Sequence, residues 1–416
     1  MANNKIDIYV YAHWKGMPEP QLAGILAAHI AKGKKTFSFE YEKEWLKSKQ
    51  QVLFDPDIQF YGGPQYPAQK ENFGIFTDSM PDTWGRTLMK RRAAQQAREK
   101  GEKPPTLHEI DFLLGVFDES RMGALRFKLE VDGPFLDDNN ASPTPPWSSV
   151  RELQHAAKLL EDDDIKADQK WLAMLIAPGS SLGGARPKAN VLDENKHPWI
   201  AKFPSKSDTI DKAAWELLAY ELAVRAGINM APCRIEKVTG NFNTFFTKRF
   251  DRENGERIHF ASAMTMIGKN EDLIRDEAPS YLEIADFIQN NGTNINENLS
   301  QLWRRIIFNI AISNTDDHLR NHGFILTEAG WILSPAYDLN PSIDKDGLAL
   351  NIDMNNNALD FELAKSVGEY FRLSDVQMET ILQEVLQATS SWKTIAKEIG
   401  ISRKEQELME NAFYKI

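Results

Sequence analysis

The chain has 416 residues, too many for one ordinary hydrophobic core, so we expect two or three domains. Its 49 Lys and Arg against 60 Asp and Glu give a net charge of −11, which argues against tight nonspecific DNA binding by the chain alone. No apolar run approaches the ~18 residues that cross a bilayer, and residues 1–10 lack a signal-peptide pattern. The single cysteine, Cys233, excludes an intramolecular disulfide and fits a reducing cytoplasm.

The sequence pattern of residues 1–147 predicts a mixed α/β domain. Strands are predicted over residues 6–11 and 36–41, with a helix between them over 20–31. One predicted helix further along carries six basic side chains, and exposure of that helix face to solvent is the simplest explanation of their clustering. They are Arg86, Lys90, Arg91, Arg92, Arg98 and Lys100. Residues 131–149 hold four prolines and predict a linker, after which Ser149 and Glu152 form a capping-box pattern that starts a helix through Leu160.

Residues 148–255 predict a small sheet lobe. Strands are predicted over residues 188–192 and 199–203, joined by a turn-forming connector. A helix follows over about 208–226 and ends at Gly227. Two further strand-like runs cover 234–238 and 244–250.

Residues 256–416 predict a mainly helical lobe. Capping-box patterns start at Ser280, Ser374 and Ser402. Residues 323–327 and 331–333 predict a short hairpin, which would hold Asn321 near Asp338. The chain as a whole is therefore expected to be α+β.

Residues 309–323 place a dense set of polar side chains behind an apolar helix. Asp316 precedes Asn321 by five residues, the step of a protein-kinase catalytic loop in which the Asp accepts the substrate hydroxyl proton and the Asn holds a metal. Asp338 can complete the metal site, because magnesium prefers hard oxygen ligands such as carboxylates. The pattern predicts a phosphotransferase with a kinase-like bilobal fold, a small β-rich lobe preceding a mostly α-helical C-terminal lobe.

A kinase layout also requires an upstream lysine at the ATP phosphates. Lys202 is the best candidate, because it lies on a predicted strand, and Glu216 on the next helix could pair with it. The glycine-rich residues 179–188 can cradle phosphates through backbone N–H groups, although they match neither common phosphate-loop pattern and a flexible loop would look the same.

Asp317, His318 and His322 leave a metallohydrolase as an alternative, since carboxylates and imidazoles also bind zinc or manganese. The sequence has no helical His-x-x-x-His pair, which disfavours that alternative. A structural role for His318, holding the loop by a hydrogen bond, is more economical than metal ligation.

Motifs along nearly the full length make the chain resemble the HipA family of bacterial toxin–antitoxin serine/threonine kinases. The N-terminal part contributes residues 36–46, 79–86 and 112–124, which are similar to the domain that precedes the kinase in full-length members. The kinase part contributes residues 181–188, 200–204, 248–252, 314–321 and 335–339.

The resemblance implies a role for each matching residue. Asp316 would be the catalytic base with His318 in the same catalytic loop, and Asn321 and Asp338 would hold Mg²⁺. Ser181 matches the serine that family members autophosphorylate, a modification that would displace the loop from the ATP phosphates and switch the kinase off. The implied ATP-binding residues are Ser181, Gly183, Gly184, Ala185, Arg186, Lys188, Lys202, Glu216, Lys248 and Phe250.

The resemblance also implies partners. The family partner is a small helix-turn-helix antitoxin of the HipB type that binds operator DNA, so base readout would belong to the antitoxin. Some members phosphorylate an aminoacyl-tRNA synthetase, but residues 257–262 depart from the best-known member and no docking motif identifies a target here. A corepressor without kinase activity and a small-molecule kinase stay open as alternatives.

Overall fold

The computed structural model describes residues 4–31, 34–48, 51–138, 144–162, 175 and 184–413. The chain divides into two compact units: unit 1 comprises Met1–Ala201 and Asp251–Asn270, and unit 2 comprises Lys202–Phe250 and Glu271–Ile416. Helices and strands occur in both units, so the predicted α+β class is confirmed. The three domain boundaries drawn from the sequence stay a prediction.

The described strands are β1 Asn4–Ala12, β2 Gln21–Ala31, β3 Lys34–Tyr41, β4 Leu125–Lys128, β5 Lys188–Leu192, β6 Pro198–Lys202, β7 Cys233–Glu236, β8 Thr244–Lys248, β9 Arg252–Glu253, β10 Glu256–Arg257, β11 Phe260–Ser262, β12 Gly323–Thr327 and β13 Gly330–Leu333. The described helices are α1 Lys43–Lys47, α2 Gly74–Asp78, α3 Thr83–Lys100, α4 Glu109–Leu114, α5 Val150–Glu161, α6 Lys212–Arg225, α7 Ala263–Met266, α8 Leu273–Asp276, α9 Tyr281–Asn291, α10 Ile295–Ala311, α11 Phe361–Ser366, α12 Asp375–Ser390, α13 Trp392–Ile399 and α14 Arg403–Met409.

Unit 1 is built on an antiparallel sheet with strand order β3-β2-β1-β4. Alternate residues of β1, such as Ile8 and Val10, are fully buried, because successive side chains of a strand point to opposite faces. Leu26 of β2 lies opposite Ile8 and also opposite Phe39 of β3, and both Leu26 and Phe39 are fully buried. The core of unit 1 therefore lies against one face of this sheet.

The helix predicted over residues 20–31 is wrong, because this segment forms β2. Its alanines and leucines favour a helix as an isolated sequence, but β1 and β3 pair with it on both sides and satisfy its backbone. At Gly24, an added Cβ would lie 2.4 Å from the carbonyl oxygen of Glu40 in the neighbouring strand. The two strands thus approach closely at a position without a side chain.

Helices α3 and α5 of unit 1 confirm two further predictions. The basic cluster lies on α3 as predicted, but the half-buried Arg86 forms a bidentate pair with Glu109 at 2.6 and 2.9 Å and is not part of a solvated helix face. Helix α5 starts at Val150 as expected, but the predicted capping box is wrong. The Ser149 side chain makes no capping hydrogen bond, and among the described residues Oε2 of Glu152 is buried without a hydrogen-bond partner.

Unit 2 is mainly helical, as predicted for most of it. Helix α10 is its centre: Leu302, Trp303, Ile306 and Phe308 are fully buried, and α10 packs on α9 and α12. The antiparallel strands β7 and β8 pack on α6. Within the described ranges, no helix is both long and apolar enough to span a bilayer.

Local signals in unit 2 were predicted well. Strands β12 and β13 form the expected hairpin, with Phe324 opposite Leu333. Capping boxes start α9 at Ser280 and α12 at Ser374. At α14, the hydroxyl of Ser402 accepts a hydrogen bond from the Glu405 N–H at 3.2 Å. Each signal involves residues close in sequence, which explains why a short pattern was sufficient.

Candidate active site

The loop after α10 presents Asp316 to solvent while its neighbours are buried. The Asp316 side chain is 78% exposed, with Nζ of Lys345 3.8 Å from its Oδ1. Thr315 and Asp317 on either side are each 1% exposed. Ser313 has a left-handed φ of 50°, and its hydroxyl donates to the carbonyl of Ala412 at 2.9 Å. The loop is therefore anchored at its ends and open at Asp316.

A buried hydrogen-bond network around Asp317 holds this loop in place. Oδ2 of Asp317 accepts hydrogen bonds from the Tyr281 hydroxyl at 2.5 Å, from Asn309 at 2.8 Å and from Nε2 of His322 at 2.7 Å. Burial by itself would raise the pKa of Asp317, but the charge and hydrogen bond of His322 and the hydrogen bond of Tyr281 outweigh it and lower that pKa. A buried carboxylate needs such donors because an unpaired charge is costly.

The sequence did not identify Asp317 as the anchor of the loop. It assigned the stabilising hydrogen bond to His318, and that expectation is corrected: among the described residues, Nδ1 of His318 is buried and has no hydrogen-bond partner. His322, four residues later, makes the bond instead. The catalytic role assigned to His318 stays a prediction.

Asn321 has a side-chain oxygen that suits a small, hard cation. Its Nδ2 donates to the backbone carbonyl of Asp316 at 3.2 Å, which fixes the side-chain amide. Its Oδ1 is buried and, within the described part of the chain, lacks a hydrogen-bond partner. A buried amide oxygen without a donor fits a metal ligand, because oxygen is the donor that Mg²⁺ prefers.

Asp338 lies on the segment that follows the β12–β13 hairpin. Its φ of 59° is left-handed, a conformation uncommon for a residue with a Cβ and often found at functional positions. The hydroxyl of Tyr337 donates to the Arg320 carbonyl at 2.8 Å and so ties this segment to the loop that carries Asn321. A carboxylate and an amide oxygen on two tethered segments fit the magnesium site expected from the sequence.

Lys202 donates to two carboxylates at once. Its Nζ lies 2.6 Å from Oε1 of Glu216 on α6 and 2.6 Å from Oδ1 of Asp338. Burial would lower the pKa of Lys202, but Asp338 and Glu216 outweigh it and raise that pKa above its ordinary value. The predicted pairing of Lys202 with Glu216 is present, while its contact with Asp338 was not foreseen.

Two more predicted ATP-binding residues lie at the end of β8 in unit 2. Lys248 is the last residue of β8, and its N–H donates to the Pro232 carbonyl at 2.8 Å. The ring of Phe250 is half-buried and lies 5.6 Å from the ring of Tyr337.

The glycine-rich segment is described from Gly184 onward and belongs to unit 1. Gly184 and Ala185 are exposed, and Arg186 is half-buried. Lys188 is buried, with its Nζ 2.6 Å from Oδ2 of Asp82. Ser181 and Gly183 lie outside the described residues, so their predicted roles stay predictions.

The geometry disfavours the metallohydrolase alternative. Asp317 and His322 are hydrogen-bonded to each other inside the network described above, so both side chains already have a partner. In the described ranges, no three His, Cys, Asp or Glu side chains are grouped as a metal site. The site instead combines the exposed Asp316, Lys202 with its two carboxylate partners, and the Asn321 amide oxygen, which has no hydrogen-bond donor among the described residues.

These features agree with the comparison to known families. The model of the HipA-like C-terminal domain matches residues 180–393, a little over half of the chain. The chain belongs to this family.

Two similar proteins extend the comparison. The chain is 21% identical over 212 residues to "Putative kinase Y4mE" of Sinorhizobium fredii, a match of 49% of this chain and 43% of that protein. The chain thus matches less than half the length of this curated relative. The fold is similar to a chain in the Shewanella oneidensis MR-1 structure of the toxin–antitoxin system HipA, HipB and its operator DNA, with a TM-score of 0.64, 19% identity and coverage of 97% of this chain and 94% of that one.

Proposed function

We propose that the chain is an ATP- and magnesium-dependent serine/threonine protein kinase of the HipA type, the toxin component of a toxin–antitoxin module. The observation that carries this proposal is Lys202, whose ammonium donates to both Glu216 and Asp338. Protein kinases require such a lysine–glutamate pair together with a metal-binding aspartate. Membership of the HipA-like family and the name of Y4mE support the same class.

Each of five residues of unit 2 would have its own role in phosphoryl transfer. Asn321 and Asp338 would hold Mg²⁺, which supplies charge neutralisation at the phosphates. Lys202 stays protonated and would orient the phosphates, with Glu216 fixing its position. Asp316 would accept the proton of the acceptor hydroxyl, whose oxygen attacks the γ-phosphorus as the bond to the β-phosphate oxygen breaks. The exposure of Asp316 suits a protein hydroxyl as acceptor.

Incubation with magnesium and ATP tests the proposal, with the intact mass and phosphopeptides of the chain as the readout. The wild-type chain should gain phosphate at Ser181, and Asp316→Asn should transfer at least ~100-fold more slowly, since general bases contribute 10²- to 10⁴-fold. Asp375→Asn, an exposed aspartate at the start of α12, is the matched control and should transfer normally. Normal transfer by Asp316→Asn would eliminate the proposed base. Phosphate on Ser180 alone would overturn the assignment of Ser181.

We also propose a helix-turn-helix antitoxin as partner and operator DNA as an indirect partner through it. The Shewanella structure, which contains HipA, HipB and operator DNA, supports this assembly. The net charge of −11 supports a division of labour in which the antitoxin neutralises the DNA phosphates. The protein substrate, for which the family resemblance suggests an aminoacyl-tRNA synthetase, would be selected by surfaces outside this site.

A further inference from the structure

Lys188 points its ammonium group into unit 1. Its Nζ donates to Oδ2 of Asp82 at 2.6 Å and to the carbonyl of Gly184 at 3.3 Å. The side chains of Lys188 and Asp82 are 5% and 3% exposed. The charge of Lys188 is thus neutralised inside the unit, by a residue more than a hundred positions earlier in the chain.

Asp82 connects this ion pair to the first turn of α3. Its Oδ1 accepts from the Gly85 N–H at 2.8 Å and so caps the helix, while its Oδ2 holds Lys188. Trp84, in the same turn, donates from Nε1 to the Lys188 carbonyl at 3.0 Å and from its backbone N–H to the Gly184 carbonyl at 3.4 Å. Both ends of residues 184–188 are therefore fixed to the start of α3.

The backbone conformation of Gly184 and its lack of a side chain suit this arrangement. Its φ of 109° lies in the region that favours glycine, and an added Cβ would lie 3.1 Å from Nζ of Lys188. The ammonium group packs directly beneath the turn. A shift of Lys188 would therefore move the backbone of Gly184, through both the packing and the hydrogen bond to its carbonyl.

We propose that Asp82, Trp84 and Lys188 form a positioning clamp for the turn at residues 184–188. Through this clamp, the Ser-Met-Pro-Asp-Thr-Trp-Gly-Arg motif at residues 79–86 would take part in ATP recognition without touching ATP. In this arrangement Lys188 is a positioning residue and not the phosphate ligand that the sequence suggested. The inference rests on the proposed kinase function, because a phosphate-binding turn works only when its N–H groups are held in one geometry.

Calorimetry of magnesium-ATP binding to the full chain tests the clamp. Asp82→Asn removes the charge but keeps a capping oxygen, since Asn caps helices as well as Asp does. We expect Asp82→Asn and Lys188→Met each to raise the Kd for ATP roughly tenfold, because small misplacements of binding groups are costly. The double variant should bind no more weakly than either single variant, since both changes break one unit.

Two further variants separate positioning from general stability. Asp57→Asn is the matched control, because Asp57 also belongs to a buried ion pair of unit 1. Its Oδ2 lies 2.8 Å from Nζ of Lys70, whose side chain is 3% exposed. It should lower the melting temperature as much as Asp82→Asn does and leave the Kd for ATP unchanged. Trp84→Phe keeps an aromatic ring but loses the indole N–H that donates to the Lys188 carbonyl. It should fold normally and bind ATP more weakly.

Distinct outcomes overturn distinct claims. If Lys188→Met weakens binding far more than Asp82→Asn and the two effects add, Lys188 contacts the nucleotide directly and the clamp is wrong. If wild type binds magnesium-ATP and neither Asp82→Asn nor Trp84→Phe changes the Kd, the clamp is equally wrong while the kinase proposal stands. If the wild-type chain binds no magnesium-ATP, the proposed function itself fails and the inference fails with it.

Discussion

At the scale of single residues, Asp338 has the most informative environment. It combines a left-handed backbone with a carboxylate that accepts from Lys202 and, at 3.3 Å, from Asn340. Strained positions persist only where their surroundings determine them, and they cluster at functional sites. These two hydrogen bonds hold the Asp338 carboxylate in its left-handed conformation.

Asp338→Ala should abolish the dependence of ATP binding on magnesium. The variant lacks the carboxylate that would hold Mg²⁺, so the metal no longer compensates the phosphate charge. Titrations with ATP, once with magnesium and once with a chelator, measure this dependence directly. Asp344→Ala, a change to an exposed aspartate on the following segment, is the control and should leave it intact. An unchanged magnesium dependence in Asp338→Ala would show that Asp338 is not a ligand.

At the scale of elements, the Asp317 network joins α9, α10 and the loop that follows α10. Tyr281 contributes a fully buried hydroxyl to it, and burial together with Asp317 raises the pKa of this hydroxyl well above its ordinary value. The phenol therefore remains a donor at any physiological pH. It stabilises the buried carboxylate without carrying a charge of its own.

Tyr281→Phe should lower the free energy of unfolding by about 1.5–3 kcal/mol, the usual contribution of a hydrogen bond to a charged group. Denaturant titration of the purified chain measures the change. Tyr370→Phe removes a hydroxyl from a residue that is 58% exposed and should stay within roughly 0.5 kcal/mol of wild type. Equal stabilities for the two variants would mean that the network contributes little.

The assignment of β2 as a strand can be tested through Gly24. Gly24→Ala should destabilise unit 1 by about 1–3 kcal/mol, because the new Cβ would overlap the Glu40 carbonyl and the Phe39 ring. In a helix the same change would stabilise by roughly 1 kcal/mol, so the sign alone discriminates between the two structures. Gly62→Ala serves as a control, since its nearest neighbour to an added Cβ is 3.9 Å away. A stabilised Gly24→Ala chain would contradict the strand.

At the scale of the whole molecule, partner binding should be separable from chemistry. Coexpression with a helix-turn-helix antitoxin of the HipB type should give a complex that shifts operator DNA, and Asp316→Asn should form it equally well. The chain alone should shift that DNA weakly or not at all, because a net charge of −11 disfavours phosphate contacts. An isolated chain that shifts the operator with the affinity and specificity of the complex would refute indirect recognition.

The sequence by itself determined the five-residue spacing of Asp316 and Asn321, the hairpin after it, the starts of α9, α12 and α14, and the partner of Lys202. These features are encoded within a few residues or follow a recognisable layout. Only the tertiary structure decided that residues 21–31 form a strand, that Asp317 accepts from Tyr281, and that Asp82 holds Lys188 across 106 positions. A short window reveals propensity and periodicity, but it does not reveal which distant segment will satisfy a backbone or neutralise a buried charge, and that choice is made only when the chain packs.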